Sequence, residues 1–222
     1  MKKMLSAGIT AALFVLLLIL VRTVNVAAIG PEGTKIGLSD LNRRVSEMIG
    51  VNMTWYKVTE ITGLIAIATA GIFALTGAVQ LVRRRSLMKV DREIIAAGGL
   101  YAVVLGLYVL FEAVIVNYRP IIMEGDTHVE ASFPSSHTML ICAVMGSAAM
   151  LLPKYIKNTG LCRLLQVICG ILIAVTVIGR LLSGVHWLTD ILGGVLISVT
   201  LLLLFAGALE IIRSKDKPEK AS

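Results

Sequence analysis

The sequence predicts an all-α, polytopic membrane protein built as a bundle of six transmembrane helices. Three observations carry this expectation. Of the 222 residues, 57% are hydrophobic and only 16% are charged, against roughly 45–50% and ~25% in soluble domains. Six apolar stretches meet, or come close to, the about 20 residues that cross a hydrocarbon core about 30 Å thick. The basic residues fall in short clusters between those stretches, the pattern of loops retained on the inner side of a membrane.

The first stretch runs from about Met4 to Ala28, preceded by Lys2 and Lys3. The small residues Ala27, Ala28 and Gly30 behind it also fit a cleavable signal peptide. The apolar run exceeds the usual ~7–15 residues of a signal core, so a retained span is the expectation. From about Gly30 to Tyr56 the spacing of Ile36, Leu38, Leu41, Val45, Met48 and Ile49 suits an amphipathic helix on the membrane surface. An outer loop packed on the bundle fits the same residues equally well.

The second and third stretches run from about Val58 to Val82 and from Ile94 to Val116. Arg83, Arg84, Arg85, Lys89 and Arg92 fill the link between them. The fourth, about Thr138 to Leu152, is the shortest. Lys154, Lys157 and Arg163 separate it from the fifth, about Leu164 to Leu182. The sixth runs from about Trp187 to Ile212, and residues 213–222 form a basic tail with Arg213, Lys215, Lys217 and Lys220. Lipid offers no water to backbone N–H and C=O groups, so each stretch is expected to be a helix. No strand alternation or internal repeat is visible, and residues 1–222 read as a single membrane-embedded domain.

With six spans every basic cluster falls on one side, expected to be the cytoplasm together with both termini. The other side carries Arg22, Lys35, Arg43, Arg44 and Lys57, diluted by Glu32, Asp40, Glu47 and Glu60. The net charge of +7 is therefore topological, and its lack of a basic stripe with interleaved aromatics argues against nucleic acid. Cys142, Cys162 and Cys169 give neither a disulfide framework nor metal-ligand spacing and read as small hydrophobes.

In so apolar a chain the polar residues near the spans carry the information, because ionisable groups there are costly. Asn117-Tyr118-Arg119-Pro120 ends the third span and Phe133-Pro134-Ser135-Ser136-His137-Thr138 opens the fourth. Gly179-Arg180 ends the fifth, and His186 and Asp190 open the sixth. All four places lie at the outer ends of helices, where an up-and-down bundle brings them to one patch. Arg119 and Arg180 offer planar forks for bidentate phosphate binding. The turn at Ser135 and Ser136 leads into a helix N-terminus, whose amides and dipole favour an anion. His186 and Asp190, four apart, suit a carboxylate-oriented imidazole, with His137 from another helix as general acid. Each feature alone has a plain reading: a snorkelling arginine, an ordinary serine cap, a structural His–Asp pair. Their coincidence at one face points to phosphoryl-transfer chemistry. His128, among Glu124, Asp126 and Glu130, reads as a solvated loop residue.

Arg119-Pro120, Pro134-Ser135-Ser136-His137 and Arg180 with His186 and Asp190 resemble the type-2 phosphatidic acid phosphatase superfamily, whose motifs run K-x6-R-P, P-S-G-H and S-R-x5-H-x3-D. The likeness spans about Glu112 to Asp190. It implies His186 as the nucleophile forming a phosphohistidine, Asp190 as its partner, and His137 as the acid and then the base. It also implies Arg119, Arg180, Ser135 and Ser136 as phosphate binders, with no metal or cofactor. Three positions depart from the pattern: Glu112 stands for lysine, Ser136 for glycine and Gly179 for serine. The implied activity is removal of phosphate from a lipid phosphate at the extracytoplasmic face of the cell membrane. Undecaprenyl diphosphate is the first candidate by analogy, followed by phosphatidylglycerol phosphate and phosphatidate. A lipid phosphotransferase, and a non-catalytic transporter or assembly protein keeping a phosphate site, are the alternatives.

Overall fold

The computed structural model describes residues 2–215; Lys217, Lys220 and the rest of the expected tail beyond Lys215 lie outside the described residues. In chain order the elements are α1 (Lys2–Thr23), a two-stranded hairpin of β1 (Ala27–Ala28) and β2 (Lys35–Ile36), α2 (Ser39–Ile49), α3 (Met53–Arg84), α4 (Arg92–Ala113), α5 (Ser136–Tyr155), α6 (Thr159–Leu182) and α7 (Leu188–Lys215). All of these α-helices but α2 are long and apolar enough to cross a bilayer, and the chain is a multi-pass membrane protein.

Two spans stop earlier than hydropathy predicts. α1 ends at Thr23, not near Ala28, because Asn25 takes a positive φ of 47° and turns the chain. Its side chain accepts from Ser39 Oγ (2.6 Å) and the Asp40 amide (2.8 Å), tying that turn to the start of α2. α4 ends at Ala113, before an irregular loop that begins the site. The other spans extend past the apolar stretches, since a helix continues into the headgroup region where charges are solvated. Asparagine caps mark two of these starts: Asn52 accepts from the Thr54 and Trp55 amides of α3, and Asn158 from the Leu161 amide of α6.

α5 is the central helix, burying Met139, Ile141, Ala143, Val144, Met145, Ala148 and Leu151 against α3, α4, α6 and α7. Protein rather than lipid surrounds it, which explains why its apolar stretch is the shortest. Helix association in lipid relies on close packing of small residues. Gly146 of α5 leaves room for Leu202, and Gly193 and Gly194 of α7 admit Phe133 and Thr138. Phe133 in turn stacks on Phe14 and meets Phe111 edge-on, with centroids 6.0 and 6.2 Å apart. The loop before α5 is thus anchored on α1, α4 and α7. A Thr62–Thr176 hydrogen bond of 2.6 Å joins α3 to α6; such bonds contribute about 0.6 kcal/mol in lipid.

The end of the bundle opposite the site is held by charge. Buried Glu93 pairs with Lys154 at 2.6 Å, and Asp91 accepts from Arg84 (2.9 Å), Gln80 (2.9 Å) and Tyr155 (3.2 Å). Burial alone would raise the Asp91 carboxyl, but the Arg84 and Gln80 bonds and the Lys154 charge outweigh it and hold it below the usual aspartate value. α2 lies across the other end, on the face of the bundle that carries the site. Its buried Asn42 donates to Gly37 O (2.9 Å) and to Thr189 Oγ1 at the start of α7 (3.0 Å). Its opposite side exposes Leu41 and Met48.

Candidate active site

Five helix ends, of α3, α4, α5, α6 and α7, and two loops converge at this end. The loop 114–135 folds back on itself. Tyr118 bridges Ala131, the Arg119 amide donates to Glu130 O (3.0 Å), and the Ser132 amide donates to Asn117 O (2.9 Å). That ladder carries Arg119 over the helix ends, and Trp187 Nε1 locks it by donating to Tyr118 O at 2.7 Å. Arg180 arrives on the last turn of α6 and is completely buried.

His186 sits in the turn before α7, not on the helix itself as its spacing from Asp190 implied. Gly184 makes the turn possible. It has a φ of +69°, and a Cβ there would meet Gly50 O at 2.0 Å, so only glycine lets α6 and α7 join beneath the start of α3. Asp190, wholly buried on the first turn of α7, accepts from the Trp187 amide (2.9 Å) and from Asn117 Nδ2 (3.3 Å). Its Oδ2 lies 3.7 Å from His186 Nδ1, an ion-pair separation longer than a closed hydrogen bond. The geometry aims the carboxylate at Nδ1 and leaves Nε2 on the cleft side. Burial drives the His186 pKa below its ordinary value, and the Asp190 charge opposes it only in part, so the imidazole is neutral at pH 7.

His137 is on the first turn of α5, and its Nε2 lies 3.1 Å from Glu60 Oε1. The same oxygen accepts from Arg180 Nη2 at 2.5 Å, and the Arg180 guanidinium stacks 4.9 Å from the Tyr56 ring. Glu60 was expected to be an ordinary outer charge; instead it joins the two residues from α3. At Gly63, one turn later, a Cβ would lie only 3.1 Å from His137 Cδ2, so α3 packs directly on this imidazole. Gly179 replaces the serine of the resembled motif for a related reason: a Cβ there would meet Thr59 Cγ2 at 2.7 Å, where α6 presses on α3.

Ser135 and Ser136 fall at the start of α5, as expected, but the Ser135 amide does not face an anion. It donates to Asp190 O at 3.0 Å, joining α5 to α7. Ser136 lines the cleft with Arg119, Glu112 and His186. The cleft is small and is walled on its apolar side by Leu107, Phe111 and Met139. His128 is exposed in its loop, away from these contacts.

The arginines are only partly used. Arg119 Nη2 pairs with Glu130 at 3.0 Å, and Arg180 Nη2 with Glu60. Among the described residues, Arg119 Nε and Nη1, Arg180 Nε and Nη1, and both ring nitrogens of His186 are buried without a hydrogen-bond partner. Buried donors left unpaired cost about 1–3 kcal/mol each, more when charged. Both arginine charges act on both imidazoles, and the four unpaired arginine nitrogens are donors for which the described residues supply no acceptor.

Sequence reasoning did not find Glu60, Tyr56, Asn117, Asn42 or Glu130. For Glu60 a signal existed: it is a carboxylate inside the first turns of an otherwise apolar helix, which marks function by default. Asn42 and Asn117 had none, because their roles rest on contacts 147 and 73 residues away in sequence.

The PAP2 superfamily model matches residues 113–211, which hold Arg119, His137, Arg180, His186 and Asp190. The chain is also similar to the crystal structure of a transmembrane PAP2 type phosphatidylglycerolphosphate phosphatase from Bacillus subtilis. The two share 20% identity and a TM-score of 0.67, over 99% of this chain and 100% of that one. No curated protein compared with the chain matches it. The family model covers less than half of the chain, and the solved structure shows that the two chains share a fold.

Proposed function

We propose that the chain removes phosphate from a lipid phosphate or diphosphate through a phosphohistidine on His186, without a metal. The observation that carries this reading is the set of unpaired, buried nitrogens of Arg119 and His186, which line the cleft, and of Arg180. His186 Nε2, neutral and oriented by Asp190, attacks phosphorus as the bond to the lipid oxygen breaks. His137 gives its proton to that departing oxygen. Water then attacks the phosphorus–nitrogen bond and yields its proton to His137, releasing inorganic phosphate and restoring both imidazoles. The arginine forks and Ser136 hold the three non-bridging oxygens.

Leu107, Tyr108 and Phe111 of α4 give a hydrocarbon chain an apolar path to the cleft from the bilayer side. The clustering of basic residues at the far end supports an extracytoplasmic site with cytoplasmic termini. Undecaprenyl diphosphate, phosphatidylglycerol phosphate and phosphatidate are the substrates to compare. Phosphate release from that panel by the protein in detergent with EDTA is the test. Metal-independent release is expected, and release that stops with EDTA would overturn the mechanism.

Glu60 belongs to the same machinery as a positioning residue. Glu60→Gln removes the charge that holds both His137 and Arg180, and kcat/KM for phosphate release is expected to fall about tenfold to a hundredfold, the scale of small misplacements in an active site. Thermal unfolding in detergent serves as the control for folding. An unchanged kcat/KM would show that the His137–Glu60–Arg180 chain does not position the reaction.

A further inference from the structure

The cleft that Arg119 lines also carries a carboxylate. Glu112, on the last turn of α4, lines the cleft together with Arg119 and His186. Glu130 holds the outer nitrogen of Arg119 at 3.0 Å and is half exposed. The charges of Glu130 and Arg119 both act on Glu112, so the three form one cluster. The Arg119 charge favours a carboxylate at Glu112, while the Glu130 charge opposes one. A helix C-terminus is the negative end of the dipole and favours a cation, and the family motif has a lysine at this position. Arg119 keeps Nε and Nη1 for the phosphate while Glu130 occupies Nη2. Whatever joins the phosphate to the lipid must therefore leave the cleft past two carboxylates.

We propose that Glu112 and Glu130 form an acidic subsite for the group next to the scissile phosphate, selecting lipid phosphomonoesters whose leaving alcohol carries hydroxyl or ammonium donors and disfavouring lipid diphosphates. The inference rests on the phosphatase reading above. A second phosphate would bring negative charge against Glu112 and Glu130, where the family lysine would have welcomed it. A hydroxyl or ammonium group instead donates to these oxygens, and the contact strengthens as the alcohol departs.

The test compares kcat/KM on four substrates with the full chain in detergent and EDTA. These are dioctanoyl phosphatidylglycerol phosphate (hydroxyl donor), a long-chain amino-alcohol phosphate (ammonium donor), dioctanoyl phosphatidate (no donor) and farnesyl diphosphate. The wild type is expected to prefer a donor-bearing monoester over the diphosphate by about tenfold or more, and the faster of the two donor substrates identifies the donor. Glu112→Lys should shift the ratio of diphosphate to donor-bearing monoester about tenfold towards the diphosphate. Glu112→Gln should shift it less, and phosphatidate turnover normalises for folded enzyme. A wild type that prefers the diphosphate, or a ratio unmoved in both variants, overturns the subsite while leaving the phosphatase reading intact. Wild-type protein that releases no phosphate from any of the four overturns both.

Discussion

Replacing His186 with alanine is expected to abolish phosphate release, by at least about a thousandfold, while the protein still folds. Loss of a nucleophile cannot be compensated by the remaining groups, which act as a unit with it. The substitution removes a small part of a site whose frame lies elsewhere, in the Trp187–Tyr118, Asn117–Asp190 and Asn42–Thr189 bonds. The same residue sets the acid side of the pH profile. Attack needs the neutral imidazole, and burial lowers the His186 pKa, so the neutral form persists below the ordinary histidine value of 6.5. The acid limb of kcat/KM assigned to His186 should accordingly lie below pH 6.5. Purified His186→Ala with full activity would sink the phosphohistidine. Equal inactivity of variant and wild type on every lipid would turn the reading towards a non-catalytic phosphate-binding protein.

Arg180→Leu should lower kcat/KM about a hundredfold to a thousandfold, the usual cost of removing a donor aimed at transition-state charge. Arg180 is fully buried, and its guanidinium is divided between two tasks. One nitrogen holds Glu60 at 2.5 Å, and the other two are buried without a hydrogen-bond partner. Leucine preserves much of the packing and removes both tasks. Arg180→Lys is the sharper comparison, because an ammonium keeps the charge but has no fork with which to serve Glu60 and phosphate together. It should lose activity nearly as severely as leucine. Lysine restoring wild-type kcat/KM would show that charge alone is needed and that the bidentate geometry is not used.

The membrane class, the six spans and the third motif were legible because each depends on residues near one another in sequence. Hydrophobic length needs only a window of about 20 residues, and the third motif places Arg180, His186 and Asp190 within a single helix–turn–helix. Boundaries were less legible. α1 stops at Thr23 because the Asn25 side chain bonds to Ser39 and Asp40, and no local hydropathy reports such a contact.

The sequence by itself determined the solvent, the number of crossings and the chemical groups at the helix ends, because transfer energies and motif spacing are local properties. Only the tertiary structure decided how those groups are wired. The Ser135 amide is spent on Asp190 O, Glu60 reaches from α3 to His137 and Arg180, and Glu112 lines the cleft with Arg119, which Glu130 holds. Each of these contacts joins side chains from different helices, and a donor pairs with whichever acceptor packing brings within about 3 Å. That choice belongs to the packed bundle and is written in no single stretch of the chain.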